Sequence, residues 1–190
     1  MSRNPNVPPR RAFLMAGGAA VICAALASPI MAGPQGAVAD PWIGRRLTTA
    51  ERARLAGLGA SLDRKFSGSD LKSVMLKDHV RLRIPAADLF FAGKDALSAQ
   101  GVAILTLVAE GMTDRKGVRV EVVAHHDLMA PDYDSWIFTR RRAEAARAAL
   151  MSRGVEAARI RPTGLGGKFP YLPDGRDPHN QRLELLFRPL

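Results

Sequence analysis

From Thr48 to the carboxyl end, apolar positions switch between a helical period and strict alternation, and the switches divide the chain into elements. Thr48-Thr49-Ala50-Glu51 supplies a capping box, after which Ala, Leu and Arg recur at helical spacing to about Phe66. Val74 to Ile84 reads as one extended run, with Val80, Leu82 and Ile84 alternating against Arg81 and Arg83 until Pro85 ends it. A second helix begins near Ser98 and carries Val102, Leu105, Val108 and Ala109 to Gly111. Val118, Val120 and Val122 then alternate with Arg119 and Glu121 in the period of a half-buried strand. A third helix spans roughly Ser135 to Arg153 and stops at Gly154, where a left-handed cap is expected. Arg159 to Gly164 forms a short strand, a Gly- and Pro-rich loop runs to Pro178, and Leu183, Leu185 and Phe187 alternate through a closing strand. The series strand, helix, strand, helix, strand implies an α+β domain, an α/β sandwich with helices packed on one sheet.

The amino end follows a different logic. Residues 1–39 hold three bases, Arg3, Arg10 and Arg11, and no acid, and Ala12 to Ala27 is an uncharged, mildly apolar run. That is the layout of a signal peptide, and it is short for a membrane span of about 20 residues. Arg10-Arg11-Ala12-Phe13-Leu14 is similar to a twin-arginine export signal, with the general secretory route as the alternative. Small residues allow cleavage after Ala27, Ala32 or Ala39, and Ala37-Val38-Ala39 fits best. The expected organisation is a signal peptide over 1–39, a tether with a short helix over 40–73, and a domain over 74–190. About 35 residues between signal and domain are too few for an eight-stranded membrane barrel, so the mature protein is expected in the periplasm without a spanning segment.

Charge and cysteine usage narrow the chemistry. The single cysteine, Cys23, lies in the apolar run, which excludes disulfides and thiolate chemistry from the domain. The chain carries 28 Lys and Arg against 18 Asp and Glu, a surplus compatible with anionic walls or phosphate polymers. Export removes nucleic acid as a partner. His125, His126 and Asp127, with Ser135, suggest a metal site or a hydrolytic triad, but neighbouring strand residues point to opposite faces. No cofactor, no metal and no enzymatic activity are expected.

Arg142 is out of place. On a helical projection Phe138, Ala145 and Ala149 form a core-facing arc with Arg142 at its edge, while Arg140 and Arg147 join Glu144 on a solvated face. A guanidinium on the core side needs an anion to offset desolvation. Asp127, just past the second predicted strand, is the nearest candidate; a structural ion pair and a bound ligand both meet the need.

Ala124-His125-His126-Asp127 and Phe138-Thr139-Arg140-Arg141-Arg142-Ala143 together resemble the Gly-His-Thr-Asp and Leu-Ser-x-x-Arg-Ala signatures of the OmpA-like peptidoglycan-binding domain. Asp88-Leu89-Phe90-Phe91, Gly154-Val155, Gly164-Leu165-Gly166, Gly175-Arg176 and Asn180-Gln181-Arg182-Leu183 match further pieces in order, so the likeness spans about Val74 to Phe187. The resemblance implies a βαβαβ fold on one mixed sheet and non-covalent binding of peptidoglycan. It implies that Asp127 takes the ammonium and Arg142 the carboxylate of the free end of diaminopimelate in the stem peptide. Phe90, His126, Ser135 and Arg182 are the further ligand-binding candidates it suggests. The sequence departs from the pattern at Ala124 for glycine, His126 for threonine, Ser135 for asparagine and Gln181 for the first arginine of the closing pair. A protein-interaction module on the same fold, with weakened or lost wall binding, is the alternative. Trp136, on the outer face of the third helix, is placed either to cover a ligand or to pack beneath the Pro-rich loop, and packing is the default expectation.

Overall fold

A computed structural model of the protein describes residues 45–128 and 135–190; the signal peptide expected over 1–39 lies outside them. The first helix, α1 (Thr49–Lys65), opens with the expected capping box: the Thr48 side chain accepts from Glu51 N, and the Glu51 carboxylate accepts from Thr48 N at 2.8 Å. Its buried stripe is Leu55, Leu58 and Leu62, all fully shielded from solvent, and it packs on β1 (Ser73–Met75) and α3 (Ala99–Thr113). The helix expected to belong to a tether is therefore part of the core. The domain begins before Val74, because three leucines at helical spacing need an apolar partner wherever the chain puts them.

Val74 to Ile84 does not form one strand. The chain reverses after β1, with Leu76 N donating to His79 O at 2.8 Å, and returns as β2 (Val80–Pro85), antiparallel to β1 from Met75↔Val80. Lys77 and Asp78 sit at the turn, where polar residues interrupt the apolar alternation. After a short helical turn, α2 (Ala86–Leu89), Ser98 caps α3 by accepting from Gly101 N, and β3 (Val118–His125) follows. Helix α4 (Ser135–Ser152) ends before Gly154, whose φ of +88° fits the expected left-handed cap. The remaining strands are β4 (Ile160–Gly164) and β5 (Arg182–Pro189).

The five strands form one mixed sheet in the order β1-β2-β5-β3-β4. The last strand in the chain is thus inserted at the centre, antiparallel to both β2 and β3, while β3 and β4 are parallel across the α4 crossover. Val80, Leu82, Ile84, Val118, Val120, Val122, Leu183, Leu185 and Phe187 all belong to the one core cluster, which also takes in residues of α1, α3 and α4. The opposite sheet face carries charge. Arg188 there meets Asp78 at 2.5 Å, and Glu184 accepts from both Arg83 and Arg182.

Helix α4 is rotated by about one residue from the expected arc. Its buried positions are Thr139, Arg142, Ala143, Ala146 and Leu150, whereas Phe138, Ala145 and Ala149 are only partly buried. Close approach to the sheet explains the choice: a Cβ on Gly164 would stand 2.4 Å from Arg140 N, so small residues must face inward. Thr139 tolerates burial because its hydroxyl bonds Ser135 O and accepts from Gly166 N. The rotation moves Arg142 from the edge of the stripe into it.

Candidate functional site

Where β3 leaves the sheet, backbone bonds hold the exit in place. His126 N donates to Gly166 O at 2.8 Å and Leu128 N to Gly175 O at 2.7 Å. A Cβ on Gly167 would stand 2.6 Å from Asp127 O, so the loop after β4 lies directly against this backbone. Asp127 is left with a mostly buried carboxylate, its side chain 16% exposed.

Arg142 reaches the same place from α4 and is 3% exposed. Its guanidinium carbon lies 4.8 Å from the centre of the Phe90 ring and 4.3 Å from that of Phe138. Two aromatic faces thus stabilise a cation withdrawn from water. The fork is also held in plane by Nε donating to Lys94 O at 3.0 Å and Nη1 donating to Gln181 Oε1 at 3.2 Å. Gln181 completes the group: its Nε2 donates to Asp127 Oδ2 at 3.1 Å. One side-chain amide therefore links the carboxylate to the guanidinium, its oxygen turned to the cation and its nitrogen to the anion. No other orientation of the amide satisfies both neighbours, since Arg142 only donates and an ionised Asp127 only accepts.

His126 is 4% exposed, contacts Asp127 Oδ1 through Nδ1, and meets Phe138 edge-on with ring centroids 5.5 Å apart. Burial holds its pKa below the usual value of 6.5, although the Asp127 carboxylate pulls the other way. The ring is neutral at pH 7 and braces the carboxylate and Phe138.

The expected site residues divide. Asp127, Arg142, Phe90 and His126 come together. Ser135 opens α4 and stands against Gly166, where a Cβ would come within 2.6 Å of its hydroxyl. Arg182 does not join the group. In the β5–β3 register it sits opposite His125, and its guanidinium is 6% exposed and bound to Glu184, Asn180 O and Phe169 O. The reason is backbone alternation: Gln181, the residue just before β5, already has extended backbone, so its side chain and that of Arg182 leave the chain on opposite sides and cannot both turn toward α4. Two contributors went unassigned in the sequence. By its helical position Phe138 reads as core, and Gln181 reads only as a departure from a family pattern; its odd-numbered parity with Leu183 and Leu185 is the available signal.

The two histidines face different surroundings, as alternation predicts. His125 lies among Arg182, Glu184 and Arg83, and its pKa is lowered to about 4, by burial first and then by the two guanidinium charges. Among the described residues no group of three or more His, Cys, Asp or Glu is placed to hold a metal ion. None of their helices is long and apolar enough to cross a membrane. Trp136, expected to pack, is 55% exposed.

Residues 89–182, the stretch that contains Phe90, Asp127, Arg142 and Gln181, match the model of the OmpA family. The Escherichia coli (strain K12) protein named Probable lipoprotein YiaD is 28% identical over 134 residues, covering 69% of this chain; the chain spans 61% of that relative's length. Among solved structures, a MotB-like protein from Desulfovibrio vulgaris superposes with a TM-score of 0.66 at 20% identity, covering 74% of this chain and 95% of its own. The cell wall anchor of the T6SS from Pseudomonas aeruginosa superposes with a TM-score of 0.58 at 23% identity, covering 74% of this chain and 100% of its own. Helices packed on a five-stranded mixed sheet are the fold shared with these neighbours, and residues 89–182 form an OmpA-like domain.

Proposed function

We propose that the domain binds cell-wall peptidoglycan without covalent chemistry, gripping the free amino-acid end of diaminopimelate in the stem peptide. In this reading Asp127 pairs with the ammonium and Arg142 accepts the carboxylate on its planar fork. The observation that carries it is the link through Gln181: a carboxylate and a guanidinium are presented to the two ends of one small polar group. The match of residues 89–182 to the OmpA family model supports the same reading, and one structural neighbour is itself named a cell wall anchor.

Each charge-assisted contact contributes roughly 1.5–3 kcal/mol net, so one stem binds modestly once ordering costs are met. Firm attachment comes from many stems along one polymer. The protein is read as a periplasmic, wall-held module, exported by the segment over residues 1–39 and associated with the cell wall or outer membrane. It is assigned binding, and no reaction.

The test mixes mature protein with purified diaminopimelate-containing sacculi and pellets them. Wild type co-sediments, while Asp127→Ala and Arg142→Ala stay in the supernatant with folded-state circular dichroism intact. Wild type remaining in the supernatant, or both variants pelleting as well as wild type, overturns the reading.

A further inference from the structure

We infer that Gln181 is an internal stand-in for the ligand, an amide that occupies the seat of the diaminopimelate end and must swing out when a stem peptide binds. The inference rests on the proposed peptidoglycan reading. It concerns how tightly and how selectively that site is filled.

The argument begins with matching patterns. The free end of an amino acid offers donors on its ammonium and acceptors on its carboxylate, a short distance apart. The Gln181 amide offers a donor at Nε2 and an acceptor at Oε1, and directs the donor to Asp127 at 3.1 Å and the acceptor to Arg142 at 3.2 Å. These are the partners assigned to the ligand's ammonium and carboxylate. One carboxylate oxygen and one guanidinium nitrogen are thus engaged by a neutral group where a zwitterion is expected.

The amide is built to leave. Gln181 follows the 3₁₀ turn Pro178–Asn180, and its backbone is tied at both ends: its N donates to Pro178 O at 3.0 Å and its O accepts from Ala86 N at 2.9 Å. The side chain is only partly buried, unlike Asn180 and Arg182 on either side. Rotation about its own side-chain bonds therefore moves the amide toward solvent without disturbing β5. The exchange favours the ligand, because the amide brings a neutral group to each charge, whereas the ligand brings a full opposite charge to Asp127 and to Arg142 and can engage the guanidinium fork with both carboxylate oxygens. The amide also keeps the two charges satisfied while the site is empty, which spares Arg142 an unmet desolvation cost. A ligand lacking either charge has no such advantage over Gln181, so the stand-in sharpens selection for the intact zwitterion.

This distinguishes Gln181 from a positioning residue. If the amide merely orients Asp127 and Arg142, removing it weakens binding; if it competes, removing it strengthens binding. The experiment titrates wild type, Gln181→Ala and Asp127→Ala with meso-diaminopimelic acid by calorimetry, with melting temperatures as a check on folding. Competition predicts that Gln181→Ala binds about tenfold more tightly than wild type, the scale of one or two displaced hydrogen bonds, while Asp127→Ala loses binding. In wild type, the Nε2 resonances of Gln181 in a ¹⁵N–¹H spectrum move on saturation to the positions of a solvent-exposed glutamine amide. Unchanged or weaker binding by Gln181→Ala, or unmoved Nε2 resonances at saturation, overturns the stand-in while leaving the wall-binding reading in place. Failure of all three folded proteins to bind either diaminopimelic acid or sacculi overturns both.

Discussion

His125 and His126 are consecutive in the chain yet look into separate environments: His125 into the arginines on the open sheet face, His126 into Asp127 and Phe138 beneath α4. Alternation at the end of β3 does this. It sets one histidine against the Asp127 carboxylate and leaves the other as a buried ring among Arg182, Glu184 and Arg83.

The buried ring makes stability depend on pH. The pKa of His125 falls from 6.5 in the unfolded chain to about 4 in the fold, so between those values only the unfolded state holds the proton. Its contribution is fully present above pH 6.5 and is lost as the pH falls toward 4; His126, also lowered, acts in the same direction. Thermal melts of wild type are expected to be level near neutrality and to decline below pH 6.5, with a shallower decline for His125→Gln. An NMR titration of the His125 ring should show a midpoint near pH 4, and a midpoint at 6.5 or above would remove the argument.

Helix α1 is tested by its leucines. Leu58 and Leu62 are fully buried, and Leu62 Cδ2 lies 3.2 Å from where a Cβ on Gly111 would stand. Leu58→Ala and Leu62→Ala are each expected to cost about 2–5 kcal/mol in urea denaturation, the range for large-to-small core changes. A cost within about 0.5 kcal/mol, as for a surface site, would return the helix to the tether.

Two glycines in helices should respond with opposite signs. A Cβ at Gly101 would fall 2.0 Å from Leu89 O, the carbonyl beside Phe90, whereas one at Gly57 meets nothing within 4 Å. Gly101→Ala is expected to destabilise by about 1–3 kcal/mol or more and, by shifting Phe90 beneath Arg142, to weaken wall binding. Gly57→Ala, in the interior of α1, is expected to stabilise by about 0.5–1 kcal/mol. Equal effects at the two positions in chemical denaturation would contradict the packing.

Arg142 should not accept lysine. The guanidinium carbon lies 4.8 Å from the Phe90 ring centre and 4.3 Å from that of Phe138 while Nε donates to Lys94 O and Nη1 to Gln181 Oε1, a combination a point-like ammonium cannot reproduce. Arg142→Lys is expected to lose sacculus binding nearly as fully as Arg142→Ala, despite keeping the charge. Wild-type pelleting by the lysine variant would mean that charge alone suffices.

Much of the fold was legible because its signals are local. The Thr48 and Ser98 caps, the Val118–Val122 alternation and the halt at Gly154 each depend on residues within a few positions of one another, and each matches an element of the structure. Asp127 and Arg142 were also legible, the latter because a cation on an apolar stripe demands a partner. The parts that were not legible depend on pairing between distant segments. The extended run from Val74 to Ile84 folds back because β2 has β5 on its other side, a neighbour more than 90 residues away in the chain. Helix α4 turns by one residue because Gly164 lets it sit closer to β4 than any local period records. By itself, then, the sequence determined the long helices, the alternating strands and the one charge, Arg142, that stood out of place, with Asp127 as its candidate partner. Tertiary structure alone decided that Gln181, not Arg182, stands between those charges. A strand's period specifies that neighbours face opposite ways, but only its register against a partner, here Ala124↔Leu183 and His125↔Arg182, specifies which way each one faces.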